Sequence, residues 1–215
     1  MNALHATICA KVIPQSHSMR EKRRILVIQG HPDVTEHHLG HALAQAYATA
    51  ATAAGHQVRT VTPAQLDFPL LRSQKEWEQG PLPAGLQKAQ DDIAWSQHIV
   101  LFFPLWLGDM PALLKGFLEQ VARPGFAFRK GSGDPFGQKG LTGRSARVVV
   151  TMGMPALVYR FYFRAHSVKS LERNILGFVG ISPVHETLIG GVDGLGEAGR
   201  LAWAGKLAAL GRRAA

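Results

Sequence analysis

Three unbroken apolar runs constrain this chain more than any other feature: RILVIQG (24–30), HIVLFFPL (98–105) and ARVVVTMG (146–153). A strand with one wet face alternates apolar and polar residues. These runs do not alternate, so both of their faces are buried. Between them lie helical stretches. GHALAQAYATAATAAG (40–55) is alanine-rich, free of proline and closed by Gly55, and PAGLQKAQDDIAWSQ (83–97) is amphipathic. PALLKGFLEQVA (111–122) opens with proline in its first turn. HQVRTVTP (56–63) and PVHETLIGG (183–191) read as two further strands, and SVKSLERNILGFVG (167–180) and LGEAGRLAWAGKLAALGRR (195–213) as two further helices. The alternation predicts an α/β fold with a parallel sheet covered by helices on both faces. LDFPLLRSQKEWEQGPLPAG (66–85) and FRKGSGDPFGQKG (128–140) read as long loops.

A chain of 215 residues supports one such domain, assigned here to residues 24–215. Residues 1–23 read as a loose extension, with folded-looking sequence beginning after Met19. No apolar run approaches the roughly 20 residues that span a bilayer. The single cysteine, Cys9, excludes an intramolecular disulfide and a cysteine-rich zinc site. A cytoplasmic location is expected. The net charge of +9 comes from basic residues spread along the chain, as at Arg23, Arg144, Arg147, Arg160 and Arg213. Nucleic acid would want them clustered with aromatic residues, so no nucleic-acid partner is expected. A phosphate-bearing small ligand suits the dispersed surplus.

In an open parallel sheet the ligand sits beyond the carboxyl ends of the strands. The first strand end, QGHPDVTEHHLGHAL, holds neither G-x-G-x-x-G nor G-x-x-x-x-G-K-[ST]. It does lead into a helix N-terminus, where free N–H groups and the helix dipole suit a phosphate. Thr35 and His38 could add donors; the alternative is a plain exposed turn. No carboxylate or cysteine stands at a ligand spacing from these histidines, so no metal site is expected. The loop PLWLGDMP is aromatic and almost uncharged. It is either ordinary core or cover for a flat ligand such as an isoalloxazine ring. At the end of the fourth strand, the third of the apolar runs, comes TMGMPALVYRFYF, in which Tyr159 offers a hydroxyl for a carbonyl or a proton, or else packs within an aromatic cluster.

Taken together, GHPD after the first strand, FFPLWLGDMPALLKGFLEQVARPGFAF, GLTGRSARVVVTMG and ILGFVGI resemble the NAD(P)H:quinone oxidoreductases of the flavodoxin-like fold. They also resemble the related ancillary flavoproteins of glutathione-gated potassium efflux channels. The resemblance spans roughly residues 24 to 190. It implies a five-stranded parallel sheet in the order 2-1-3-4-5, non-covalently bound FMN or FAD, NAD(P)H as reductant, quinone-like acceptors and a homodimer. By the same resemblance His31, Thr35, His38 and Leu39 face the flavin phosphate, and Pro104, Leu105, Trp106 and Leu107 cradle the ring. Thr151, Met152 and Gly153 meet its polar edge. Tyr159 stands where these enzymes carry a catalytic tyrosine. Ala165 holds the place of their partner histidine, with His166 one residue on, and TEHHLG replaces the common S-F-N. The implied reaction is ping-pong hydride transfer. The alternative is a regulatory flavoprotein docked on a potassium efflux transporter. Tyr159→Phe is expected to slow turnover about tenfold or more while leaving the melting temperature unchanged.

Overall fold

The computed structural model describes residues 21–129 and 138–215. The strands β1 (Arg24–Gln29), β2 (Gln57–Val61), β3 (His98–Pro104), β4 (Ser145–Thr151) and β5 (Val184–Ile189) pair in parallel. Their spatial order is β2-β1-β3-β4-β5, the order that the resemblance implies. The helices are α1 (Leu39–Ala53), α2 (Gln74–Gln79), α3 (Gln87–Trp95), α4 (Ala112–Val121), α5 (Ala156–Phe161), α6 (His166–Ser170), α7 (Gly177–Val179) and α8 (Glu197–Gly211). A π-helical stretch, Leu171–Leu176, joins α6 to α7.

Both faces of the central strands are apolar because both are covered. Ile25, Val27, Val100, Phe102 and Val149 pack with Leu43 and Tyr47 of α1 and Leu207 of α8. Leu26, Ile28, Ile99, Leu101, Val148 and Val150 face the other way, onto Ile93 of α3, Leu114 and Phe117 of α4, and Leu171. The period-two split along each strand sends alternate residues to the two layers. At 0–2% exposure these strand residues account for the unbroken apolar runs.

Two loop readings and one helix start need correction. The stretch 66–85 is not a plain loop, since it holds α2. Ser73 caps that helix by accepting the Glu76 N–H at 3.1 Å, and the Glu76 carboxylate accepts the Arg72 N–H at 2.9 Å. Buried Arg123 donates to the carbonyls of Glu76 and Gly80 at 3.0 and 2.8 Å, and Gln120 Nε2 donates to the Pro69 carbonyl at 2.6 Å. Long polar side chains on and just after α4 thus fasten the whole segment. The helix expected over 83–97 begins as a 3-10 turn, Ala84–Leu86, before α3. In 128–140, Phe128–Arg129 pairs antiparallel with Gln138–Lys139, and 130–137 fall outside the described residues. The extension expected over 1–23 lies outside them too, apart from its last three residues.

After β5 the chain must pass close under the segment that leads into α5. A Cβ on Gly190 would fall 2.1 Å from the Ala156 N and 2.6 Å from the Met154 O, both backbone atoms. Gly190→Ala should therefore destabilise the fold by about 1–3 kcal/mol. Urea denaturation checks this, and an unchanged midpoint would show that α5 does not rest on this glycine.

Candidate functional site

The first wall of the site is built by the end of β1. The Gly30 N–H donates to the Phe102 carbonyl at 2.7 Å. A Cβ at Gly30 would meet Leu114 Cδ2 at 2.6 Å and the Phe102 carbonyl oxygen at 3.0 Å, so a side chain here would have to displace Leu114 of α4. The buried Gln29 amide then sets the turn: it donates to the Gly40 carbonyl and accepts the His31 N–H, both at 3.1 Å. His31 is buried, and its Nδ1 lies 3.1 Å from both the amide N and the carbonyl O of Asp33. Its ring stacks on His38 with centroids 3.8 Å apart and meets His41 edge-on at 5.3 Å.

Asp33 organises the polar side of this turn. Its Oδ1 accepts the N–H and the hydroxyl of Thr35 at 2.8 and 2.6 Å, and its Oδ2 lies 2.9 Å from His38 Nε2. These bonds, Thr35 first and then His38, hold the Asp33 carboxyl well below the usual carboxylate range. Sequence reasoning gave the histidines no carboxylate neighbour. In the fold Asp33 and Glu36 each bring a ligand atom within 4.8 Å of His38. Burial, and after it the adjacent His38, push His31 and His41 below the ordinary histidine range.

His38 is the N-cap of α1 yet makes no side-chain cap, and the first turn of the helix holds no acidic residue. The N–H groups of Leu39 and Gly40 have no acceptor among the described residues. The space over Gly40 is open to at least 4 Å. This end of α1 offers what an anion needs.

The second wall is the turn after β3. The N–H and carbonyl of Trp106 pair with those of Asp109 at 2.8 and 3.0 Å, closing a two-residue turn. Leu107 and Gly108 take φ of 48° and 80°. That suits Gly108 but costs Leu107 roughly 1–2 kcal/mol. Leu107 is fully exposed and Trp106 half exposed, while Pro104 and Leu105 are half-buried. The Trp106 ring meets His31 edge-on at 5.8 Å, so the first two strand-end loops touch.

The third wall follows β4. The Leu105 N–H donates to the Thr151 carbonyl at 2.8 Å, which seats the Trp106 turn beside Thr151. Met152 is buried and Gly153 exposed. A Cβ at Gly153 would stand 2.8 Å from Asp193 Oδ2. The N–H groups of Leu107, Gly108, Gly153 and Met154 have no acceptor among the described residues. An isoalloxazine ring presents carbonyl oxygens along one edge and flat apolar faces, and a phosphate hangs from its side chain. The donors, the apolar turn and the helix end fit those three parts in kind.

Tyr159 and His166 are placed differently from each other. Tyr159 is 2% exposed, and its hydroxyl lies 2.7 Å from Ser167 Oγ and accepts the Val168 N–H at 3.3 Å. Helix α5, missed in the sequence, turns this side chain inward to hold the first turn of α6. His166 is exposed and lines a cavity of about 460 Å³ with Arg164, Lys169 and Arg173. Sequence reasoning missed Gln29, Asp33 and Ser167. Only Asp33, two residues before Thr35 in a turn, carried a legible signal, that of an Asx-type turn.

The flavodoxin-like fold family matches residues 23–212. The chain belongs to that family. An uncharacterized NAD(P)H oxidoreductase of Haemophilus influenzae is 28% identical over 124 residues, 57% of this chain and 60% of that one. An FMN-dependent NADH:quinone oxidoreductase of Colwellia psychrerythraea is 32% identical over 94 residues, 44% of this chain and 46% of that one. The chain thus spans about half the length of these curated relatives. The solved NAD(P)H:quinone oxidoreductase of Methanothermobacter marburgensis superposes with a TM-score of 0.74 at 20% identity, over 89% of this chain and 96% of that one. That likeness is one of fold. No helix among the described residues is long and apolar enough to cross a membrane.

The buried hydroxyl changes the expectation for Tyr159→Phe. Loss of the hydroxyl strands the buried Val168 N–H, so the variant should lose about 1–2 kcal/mol of stability. Calorimetric melting checks this, and a melting temperature equal to wild type would show that α6 does not depend on the hydroxyl.

Proposed function

We propose that the protein is an NAD(P)H-dependent flavin oxidoreductase that reduces quinone-like acceptors by two electrons. One observation carries the reading: an uncapped helix end, an exposed aromatic turn and a set of free N–H groups meet at one edge of the sheet. The Colwellia relative, an FMN-dependent NADH:quinone oxidoreductase, accords with it. Bound there, FMN or FAD would supply the redox chemistry, taking a hydride from NAD(P)H and passing it to the acceptor.

The chain's own residues then divide the work. Leu39 and Gly40 present N–H groups to the flavin phosphate, with His31, Thr35 and His38 beside it. Pro104, Leu105, Trp106 and Leu107 cover the ring and keep water from one face. Gly153 and Met154 offer N–H groups to its polar edge with Thr151 beside them, whereas Met152, expected there, is buried with its N–H on the Ile189 carbonyl. One open face serves reductant and acceptor in turn, which makes the kinetics ping-pong. His166, exposed beside Arg164, hands a proton to the acceptor oxygen. Tyr159 acts through Ser167 as the residue that positions it. A second copy of this chain covers the exposed Leu157, Phe161 and Tyr162, which are 68%, 72% and 80% accessible.

Anaerobic stopped-flow tests the activity. FMN-loaded protein should bleach on mixing with NADH or NADPH and recover its colour on mixing with benzoquinone, with parallel double-reciprocal plots in the steady state. Failure of both nicotinamides to bleach the flavin contradicts the reading. Light scattering should give twice the chain mass.

The histidines add a dependence on pH. A phosphate beside His31 and His41 favours their charged forms, so binding takes up protons and FMN affinity should rise as pH falls through the histidine range. Riboflavin, which lacks the phosphate, should show no such trend. Parallel pH profiles for the two ligands would contradict the placement of the phosphate.

A further inference from the structure

Three buried side-chain atoms lack a hydrogen-bond partner among the described residues: Tyr47 Oη, His98 Nε2 and Arg147 Nε. Buried polar groups are paired with few exceptions, and each exception needs an account. All three lie on one face of the sheet. Tyr47 of α1 packs with Val100, Phe102 and Val149. His98 and Arg147 stand two residues before Val100 and Val149 on their strands, and so face the same side.

The neighbourhood is cationic. The charges that act on His98 are those of Arg23, Arg147 and His185. Arg147 and Arg23 act on Tyr47, and Arg213 acts on Arg147. No carboxylate figures among these interactions. Residues far apart in sequence, and read there as a dispersed surplus, converge at the amino ends of β1, β3, β4 and β5.

A cavity of about 710 Å³ opens at this end, lined by Arg23, His98, Arg144, Ser145, His185 and Arg213. Among the described residues on its wall, Glu21 is the one acidic side chain. Arg144 is already committed: its nitrogens donate to the carbonyls of Ile93, Thr142 and Ala94. Arg23 has no side-chain partner among the described residues, and Arg213 uses only its Nε, toward the Ala209 carbonyl. His98 is 1% exposed, and its Nδ1 is fixed 2.8 Å from Ser145 Oγ. Two guanidinium groups with free terminal nitrogens and a buried histidine whose Nε2 has no partner among the described residues therefore line one polar cavity.

We propose that this cavity is a second anion site that binds the phosphate group of a small phosphate ester. Guanidinium forks match phosphate oxygens in pairs, and a phosphate has acceptors enough for the imidazole as well. The volume falls in the range of small-molecule pockets and exceeds what a bare phosphate fills. The site lies at the opposite end of the strands from the Trp106 turn, about 20 Å away along the strands. It is therefore independent of the flavin reading.

Calorimetry in low-salt chloride buffer, on protein loaded with one equivalent of FMN so that the phosphate place at α1 is filled and no free FMN competes, tests the proposal. The probes are inorganic phosphate and glycerol 3-phosphate. Both should bind saturably at one site, the ester more tightly, and the imidazole NMR signals of His98 should shift as the site fills. The double variant Arg23→Ala, Arg213→Ala alters two exposed side chains, so circular dichroism should be unchanged. It should weaken both probes at least about tenfold, with FMN affinity unchanged. Absence of saturable binding, binding that the double variant leaves intact, or a His98 signal that does not move at saturating phosphate would each overturn it. Bound water alone would then satisfy the unpaired atoms.

Discussion

Strand β3 is hydrogen-bonded in parallel to β1 on one side and β4 on the other, with six of its seven residues buried. The rest of the structure depends on that double pairing. Gln29 stands opposite Phe102, Pro104 opposite Thr151, and Thr151 opposite Ile189, so β1, β3, β4 and β5 stop at nearly one level. The ladder even runs past the strand ends, through the Gly30 N–H to Phe102 and the Leu105 N–H to Thr151. The three loops that follow must emerge side by side. A helix end, an aromatic turn and a glycine-containing bend, separated by dozens of residues in sequence, become one surface. Because the strands are parallel, what gathers there is different in kind from what gathers at the opposite end.

The strands of the sheet were legible because their signal is local and strong, while their order came only with the family resemblance. Seven consecutive residues with no exposed face leave a strand such as β3 little else to be. The Trp106 turn was legible as an uncharged aromatic loop at a strand end. Its geometry was not, since positive φ at Leu107 goes against that residue's own preference and is imposed by the pairing of Trp106 with Asp109. Helix α2 was missed although its capping pair, Ser73 and Glu76, stood in the sequence at the right spacing. The prolines around it argued for a loop. What holds the segment is Arg123 and Gln120, more than 40 residues away.

Side-chain direction was the hardest thing to read. Tyr159 follows Gly153 at a strand end, which suggests an outward hydroxyl, yet a single turn of helix places it in the core on Ser167. His98 reads as the polar first residue of a strand, but in the fold it is buried. Burial, with Arg23 and Arg147 beside it, lowers its pKa to about 4. Period and propensity say which residues share a face. They do not say what the opposite layer supplies, and that decides whether a polar group is a hinge, a prop or a ligand. The same limit applies to charge: Arg23, Arg147 and Arg213 look scattered until two strands and a helix end bring them together.

The account rests on a flavin lying against the Trp106 turn with its phosphate at the amino end of α1. Titration of FMN with the purified protein, followed by flavin fluorescence and compared with the Trp106→Ala variant, tests this most directly. The expected result is saturable quenching by the wild type at micromolar protein, with Trp106→Ala binding more weakly and quenching less. Flavin fluorescence that the wild-type protein leaves unchanged, or quenching that is identical in the variant, would contradict it.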